Sequence, residues 1–485
     1  MKMLLRLVLG LLALLVVLAA VLVFRTVTFQ PSVQTGPIEA LAKSPPIDVD
    51  MAARHLSEAI RIKTISQQDE AATDRDEWRR LLDWVAQTYP KSAAAMQREL
   101  VADYTPIYTW PGSDASLKPI VLMAHQDVVP AEGEWKHPPF DGVIADGAVW
   151  GRGAIDDKGS LVAIFEATEA LLASGFQPKR TVIIVNGHDE EVAQSGAAAA
   201  AQTLKARGVE AEFVLDEGLV TLADFPLLKG PAAMVGIAEK GYATLAVTAK
   251  GEGGHSSLPP PKTAVHSLAE AVVAIAGNQD PYDLTGPGAE TLRAVAPYTP
   301  FMTKMAIAND WLFEPLLIGE IAKTNAGAAL LHTTTAPTML EGSPKENVLP
   351  QEAKAVINYR ILPGQTGDDV MARAKSSVGD LPVTLDWIGK VKNPSPVSST
   401  ESSGWKVISA LASQENTVPV TPALVLGATD SYQMTPIARD IYRFQPIVLS
   451  LDETKLVHGE NEHLTLENLK RMIEFYARLI ATSAG

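Results

Sequence analysis

Three short acidic clusters in this 485-residue chain each follow an apolar run. Pro119-Ile120-Val121-Leu122-Met123-Ala124 ends in His125-Gln126-Asp127, and Thr181-Val182-Ile183-Ile184-Val185 runs into Gly187-His188-Asp189-Glu190-Glu191. Glu212-Phe213-Val214-Leu215 stops at Asp216-Glu217-Gly218. Imidazoles and carboxylates ligate divalent metals and also exchange protons, so the clusters carry two candidate chemistries. The chain has no cysteine, which removes disulfide frameworks, thiolate zinc sites and cysteine nucleophiles together. Any metal must be held by carboxylates and by some of nine histidines.

Taken singly, each cluster has an ordinary reading. His-x-Asp arises by chance, and an acid after a strand commonly caps a helix or closes a turn. Recurrence at three strand ends is what favours a shared site. Short continuous apolar runs suit strands covered on both faces, and open α/β sheets bind ligands beyond the carboxyl ends of their strands. Alternation of such runs with helical patterns reads as an α/β chain. A fourth piece is Gly151-Arg152-Gly153-Ala154-Ile155-Asp156-Asp157-Lys158-Gly159, followed by a helical pattern through Leu161, Val162, Ile164 and Phe165. It lacks the spacing of a phosphate loop and puts two acids where a phosphate would sit, so it suits a cation. Far downstream, Val457-His458-Gly459-Glu460-Asn461-Glu462 precedes another helical pattern. His458 is either an ordinary loop histidine or an imidazole that reaches back to the sheet edge.

The length predicts two or three domains, and 47 % hydrophobic with 20 % charged residues excludes wholesale disorder. A net charge of −15 argues against nucleic acid as a partner. Leu7 to Phe24 is an unbroken apolar run of 18 residues, with Lys2 and Arg6 before it and Arg25 after it. It predicts an uncleaved signal anchor over 1–25, with the N-terminus cytoplasmic and the remainder extracytoplasmic (periplasmic, extracellular or lumenal). The alternative is a signal peptide cleaved near Val17-Leu18-Ala19, which also exports the large domain. Residues 26–48, with Gln30-Pro31, Gly36-Pro37 and Pro45-Pro46, read as a linker.

These motifs occur in order with Gly253-Gly254-His255-Ser256-Ser257 and Gly427-Ala428-Thr429-Asp430-Ser431. Together they resemble the M20 family of co-catalytic zinc peptidases and aminoacylases, from about residue 50 to the end. The N-terminal anchor and the Val-His-Gly-Glu-Asn ending are most similar to its carboxypeptidase S and N-fatty-acyl-amino-acid synthase/hydrolase branch. The resemblance implies a catalytic domain over 49–241 and 364–485, with a central mixed sheet and helices on both faces. It implies an inserted α+β lid and dimerisation domain over 242–363. His125, Asp156, Glu191, Asp216 and His458 are its implied ligands for two zinc ions, with Asp156 bridging and Glu217 the alternative to Asp216. Asp127 is implied to orient His125, Glu190 to act as general base, and Asp156-Asp157 to form a cis peptide.

For the insert, the resemblance implies His255 as an oxyanion donor that often serves the partner subunit's site. Arg360 is the implied clamp for a substrate carboxylate, and Asn347, Gly427, Thr429, Asp430 and Ser431 line the same pocket. Phe301, Met302, Met305, Trp311, Leu312, Phe313, Leu316, Leu317 and Ile318 read as lid core or dimer interface, or as a trough for a fatty-acyl chain. The expected activity is hydrolysis, reversible at high amine concentration, of an amide in an N-acyl amino acid or peptide with a free carboxylate. The alternatives are a dipeptidase or carboxypeptidase for small polar peptides, a silent exported binding protein, and a di-metal phosphoesterase, which little phosphate-cradling sequence supports.

Overall fold

The computed structural model describes residues 2–31, 33, 41–414 and 417–485, with Glu70 described by its backbone. The three apolar runs form strands Ile120–His125, Val182–Gly187 and Phe213–Leu222. They lie inside an eight-stranded sheet ordered Gln97–Val101, Thr105–Trp110, Val182–Gly187, Ile120–His125, Phe213–Leu222, Ile441–Leu449, Ala232–Glu239, Val420–Val425. The middle four run parallel, and antiparallel pairs toward both edges make the sheet mixed.

Side-chain alternation explains why those runs carry no polar interruption. Ile120, Leu122, Ile184 and Leu215 enter one core, while Val121, Met123, Val185 and Val214 enter another on the opposite face. Helices Val49–Ile60, Lys158–Ala173, Ser403–Ala412 and Leu466–Ala484 close the first core, and Ser195–Ala206 closes the second. This is the α/β architecture expected, with helices on both faces.

The strand Phe213–Leu222 departs from regularity where its acids begin. Its pairing with Ile120–His125 stops at Leu215. On its other side Asp216 lies opposite Arg443 while Leu219 lies opposite Phe444, so Glu217 and Gly218 form a bulge. Gly218 holds φ +137°, and a Cβ there would meet the Arg443 Cβ at 2.8 Å.

A second sheet is antiparallel, ordered Thr334–Glu341, Glu352–Ile361, Gly241–Lys250, Val383–Trp387. Leu245, Val247, Ile357 and Ile361 point to one face, where helices Ala264–Gly277 and Gly367–Val378 cover them. The expected boundary at residue 363 therefore falls inside this unit, because the last helix and the last strand follow it in sequence. The chain returns near Lys392, whose backbone N–H and C=O pair with those of Tyr242 at 2.9 and 2.7 Å.

Part of the expected lid segment packs elsewhere. Helix Gly286–Val295 lies along the edge strand Val420–Val425, with Thr291 Oγ1 donating to Pro422 O at 2.8 Å and Thr421 Oγ1 to Thr291 O at 3.2 Å. It blunts that sheet edge. In the helices that follow, Leu317 is buried and Ile318 half-buried, but Phe301, Met302, Trp311, Leu312 and Leu316 are exposed, so this stretch is not a closed lid core. The N-terminal helix runs Lys2–Thr28, three residues into the expected linker. Residues 32 and 34–40 of that linker lie outside the described residues. Among the described residues it is the one helix long and apolar enough to cross a membrane.

Replacing Gly218 by alanine adds a Cβ against the Arg443 side chain in a backbone region that L-residues avoid. The expected outcome is a loss of roughly 1–3 kcal/mol of stability, read by thermal unfolding. An unchanged melting temperature would mean that the bulge yields freely.

Candidate metal centre

His125 ends its strand fully buried, and its ring is held from both sides. Nδ1 lies 3.0 Å from the Asp127 carbonyl oxygen and 3.3 Å from Asp127 Oδ1, which leaves Nε2 facing Asp156 Oδ1 at 2.8 Å and Glu217 Oε1 at 3.8 Å. Across Asp156, Oδ2 is 3.0 Å from His458 Nε2, which is itself 3.1 Å from Glu191 Oε2. The donors form two groups, His125–Asp156–Glu217 and Asp156–Glu191–His458, each with its ligand atoms within 4.8 Å of one another. Asp156 belongs to both. Oε1 of Glu191 is buried without a hydrogen-bond partner. Imidazole and carboxylate donors at this spacing, lacking thiolate, fit zinc and its first-row neighbours.

Two buried acids hold the donors in place. Asp127 accepts from Ser66 Oγ at 2.6 Å and from the backbone N–H groups of Glu190 and Glu191 at 3.1 and 3.2 Å, so one carboxylate fixes both His125 and the Glu190–Glu191 turn. Glu462 accepts from the N–H groups of Gly153, Ile155 and Asp156 at 3.1, 2.8 and 3.0 Å and from Arg152 Nη1 at 2.7 Å. Arg152 Nη2 in turn donates to the His458 carbonyl at 3.1 Å. The glycine-rich loop and the His458 turn are thus one hydrogen-bonded piece, and the Asp156–Asp157 peptide within it is cis.

Crowded acids shift each other's protonation. Burial pushes the Glu190 carboxyl up to about 8, reinforced by the Glu191, Asp156 and Asp127 charges against the opposing His125. Burial likewise raises Glu217, with Asp156 and Asp157 adding to it. Hydrogen bonds to Asp156 and Glu191 raise His458 to about 10. Burial opposes the charge of Asp156, but bonds to the two imidazoles outweigh it and hold that carboxyl below its ordinary range. Glu190 stays outside both donor groups, and Gln194 Nε2 donates to its Oε1 at 2.8 Å.

The structure brings His125, Asp127, Asp156, Glu190, Glu191 and His458 together at one end of the sheet. For the pair Asp216 and Glu217, the expected ligand and its alternative, the two side chains are placed differently. Asp216 accepts from Ser431 N at 2.8 Å and Glu217 N at 2.9 Å, while Glu217 joins the first donor group. The bulge is the reason, since it takes Glu217 out of the strand's alternation. The Gly427–Ser431 loop adjoins the cluster. Thr429 Oγ1 donates to Glu239 Oε1 at 2.6 Å and meets Ser431 Oγ at 2.7 Å, while Gly427 is exposed. Asp430 is buried with both carboxylate oxygens unpartnered, and a Cβ on Gly187 would sit 1.7 Å from its Oδ2.

The residues expected from the insert are not brought to the cluster. His255 is exposed and bonds Ser257 Oγ at 2.7 Å, Asn347 accepts from Ser256 N through its carbonyl at 3.1 Å, and the Arg360 guanidinium lies 4.8 Å over the Tyr242 ring. Sequence reasoning missed Ser66, Gln194 and Glu462. The acid-rich turn after His458 was the signal for the last, although it did not single out which acid turns inward.

The profile of Peptidase family M20/M25/M40 matches residues 121–482. The chain belongs to this family. It is 36 % identical to the "Probable carboxypeptidase S-like 2" of Dictyostelium discoideum over 449 residues, covering 89 % of this chain and 85 % of that protein. It is 37 % identical to the N-fatty-acyl-amino acid synthase/hydrolase PM20D1 of Homo sapiens over 401 residues, covering 80 % and 79 %. The M20 family metallo-carboxypeptidase Sso-CP2 from Sulfolobus solfataricus shares the fold, with a TM-score of 0.66 at 18 % identity over 89 % of this chain and 98 % of the other. The M20 chain described here is accordingly a metallopeptidase or amidohydrolase acting on C–N bonds.

Glu462→Gln keeps the side-chain volume but removes the charge that three backbone N–H groups and Arg152 share. Zinc affinity is expected to fall roughly 10- to 100-fold, measured by competition with a chromophoric chelator. Unchanged affinity would show that the loop needs no anion.

A second expectation concerns pH. Glu190 and His458 both have folded values above their ordinary ones, so over that interval the folded chain keeps protons that the unfolded chain has released. Their stabilising contribution is complete below their ordinary values and is lost as pH rises through about 8 and about 10. Asp156, held low, contributes evenly above the ordinary carboxylate range. Chelator-treated protein should therefore melt at progressively lower temperature from about pH 6.5 to about pH 9. Added zinc should restore it most at the alkaline end. A melting temperature that climbs with pH in the absence of metal would contradict this.

Proposed function

We propose that this M20 enzyme hydrolyses N-acyl amino acids, cleaving the amide whose nitrogen belongs to an amino acid with a free carboxylate, and that high amine concentration drives the reverse synthesis. The observation that carries the chemistry is Glu190, a half-buried carboxyl raised to about 8 beside two three-donor groups yet a member of neither. The similarity to an N-fatty-acyl-amino acid synthase/hydrolase supports the substrate class.

In this reading His125 and Asp156, with Glu217 or its neighbour Asp216, would hold one zinc ion, and Asp156, Glu191 and His458 would hold a second. When bound, the pair supplies Lewis acidity and lowers the pKa of water to near neutrality. Gln194 occupies Glu190 Oε1, so Oε2 is the oxygen free to take the proton of the attacking water and pass it to the leaving nitrogen. One carboxylate oxygen beside the donor groups can serve both transfers. Arg360 clamps the substrate carboxylate, and Asn347, Thr429, Asp430 and Ser431 line its pocket beside Gly427. His255, exposed and unbonded to the cluster, serves the site of a second copy as an oxyanion donor. The N-terminal helix anchors the enzyme in a membrane with the catalytic domain extracytoplasmic.

Turnover of long-chain and acetyl amides of one amino acid, of the matching dipeptides, and of carboxamide analogues should be compared on zinc-loaded protein by mass spectrometry. The long-chain acid is expected to be the best substrate. Glu190→Ala should keep both metals and lose about 10²- to 10⁴-fold in turnover. Equal rates for acetyl and long-chain amides would end the acyl preference, and efficient dipeptide cleavage would favour the carboxypeptidase alternative.

A further inference from the structure

We propose that the helical hairpin Phe301–Ile321 is a second membrane contact, whose apolar outer face lies in the interfacial layer of a lipid bilayer beside the N-terminal helix. The proposal rests on the reading of Lys2–Thr28 as membrane-spanning. It adds a lipid surface as partner for a part of the chain outside that span.

The hairpin consists of helices Phe301–Ala308 and Asp310–Ile321. Its inner face is ordinary core, with Ile307 and Leu317 packed among Leu284, Leu292 and Leu331. Its outer face is rich in large apolar side chains open to solvent, beside the exposed Glu314: Phe301 is 51 % exposed, Met302 65 %, Trp311 54 %, Leu312 40 % and Leu316 55 %. A contiguous exposed patch of such large side chains marks an interaction surface.

What covers that face follows from its attachment to the N-terminal helix. Asn309, fully buried at the hairpin turn, donates through Nδ2 to Leu22 O at 3.2 Å and Thr26 Oγ1 at 3.3 Å. Arg25 Nε donates to Ala308 O at 3.3 Å. Leu18, Leu22, Thr26 and Phe29 lose exposure while their neighbours keep it, a spacing of three and four that defines one helix face. Two of these, Leu18 and Leu22, lie inside the apolar run that ends at Phe24. An 18-residue run spans about 27 Å at 1.5 Å per residue, so the whole run is needed to cross a hydrocarbon core of about 30 Å. Arg25 then marks the boundary, and Leu18 lies about 10 Å below it. A hairpin docked on this stretch cannot stay clear of the bilayer, and the depth is that of an interfacial amphipathic helix.

Chemistry at the hairpin agrees with a neutral lipid surface. Two of its four charged residues pair within the protein, Asp310 with Arg293 at 3.0 Å and Glu320 with Lys323 at 2.6 Å, and Lys304 and Glu314 are the other two, one of each sign. This leaves no basic patch to select anionic lipid. Trp311, on the outer face, is the residue type that settles at membrane–water interfaces.

The cysteine-free chain allows single nitroxide labels to be placed without background thiols. Full-length protein in phosphatidylcholine vesicles would carry a label at Met302→Cys or Leu316→Cys, both at exposed positions where the fold tolerates change. Val16→Cys reports the spanning helix. Leu100→Cys, exposed on the opposite edge strand of the central sheet, lies seven strand spacings or about 34 Å across it. Collision rates with oxygen and with a water-soluble nickel chelate are then compared. At Met302 and Leu316 the oxygen-to-nickel ratio is expected to exceed that at Leu100 at least about threefold, approaching that at Val16. Ratios at Met302 and Leu316 equal to Leu100, with Val16 in hydrocarbon, would overturn the proposal while leaving the anchor intact. A water-like Val16 would remove both. Labels shielded from both probes and broadened by spin–spin coupling between copies would show a protein interface in place of lipid, and would also overturn it.

Discussion

Like charges compressed at the end of one sheet are the constraint around which this molecule is built. Asp156, Glu190, Glu191 and Glu217 share a space that two imidazoles enter, with Asp430 close behind. Two unit charges 4 Å apart repel by about 4 kcal/mol at an effective dielectric of 20, so several ionised carboxyls cannot remain there uncompensated. Retained protons provide the compensation in the upward shifts of Glu190, Glu191 and Glu217. Divalent cations would provide it more completely, and Asp156 belongs to both donor groups.

Such a cluster opposes folding, and much of the surrounding structure exists to hold it. The donors come from strand ends and turns separated by up to hundreds of residues in sequence, and two deeply buried acids tie them together. Asp127 sits behind His125 and the Glu190–Glu191 turn, and Glu462 gathers the N–H groups of the loop presenting Asp156. Neither is a member of the donor groups. Both spend their lone pairs on backbone N–H groups, which converts loops into fixed mounts. The apolar runs feeding both cores supply the stability against which this repulsion is set.

Much of this was legible in the sequence because period and chemistry reinforced each other. Unbroken apolar runs ending in acids predicted strands with a common edge, and of the two readings open for His458 the one that reaches back matches its 3.0 Å approach to Asp156. The different placement of Asp216 and Glu217 was not legible. A strand places consecutive residues on opposite faces, and a bulge breaks that alternation, with Gly218 as its sole local mark. Glu462 was hidden for a similar reason: positive φ at His458 and Asn461 decides which acid of that turn points inward. The boundary at 363 failed because Val383–Trp387 pairs with a strand more than a hundred residues earlier, a non-local event that composition does not record. For the apolar residues of Phe301–Ile321 the sequence left lid core, dimer interface and acyl trough open, because an apolar pattern does not record which of its faces stays exposed.

The two units are joined at a narrow crossing, and that crossing is wired to the candidate base. Tyr242 and Lys392 exchange both backbone hydrogen bonds where the chain leaves and re-enters the catalytic sheet. From there Lys392 Nζ reaches Gln194 Oε1 at 3.0 Å, and the amide of the same Gln194 donates to Glu190 at 2.8 Å. Gln433 Nε2 approaches that Gln194 oxygen at 3.4 Å, and Lys392 stacks 4.0 Å over the Tyr432 ring. The candidate base and the crossing into the unit that holds His255 and Arg360 are thus joined by a line of side-chain hydrogen bonds through Gln194. A lysine that the sequence offered no reason to notice is the connection between them.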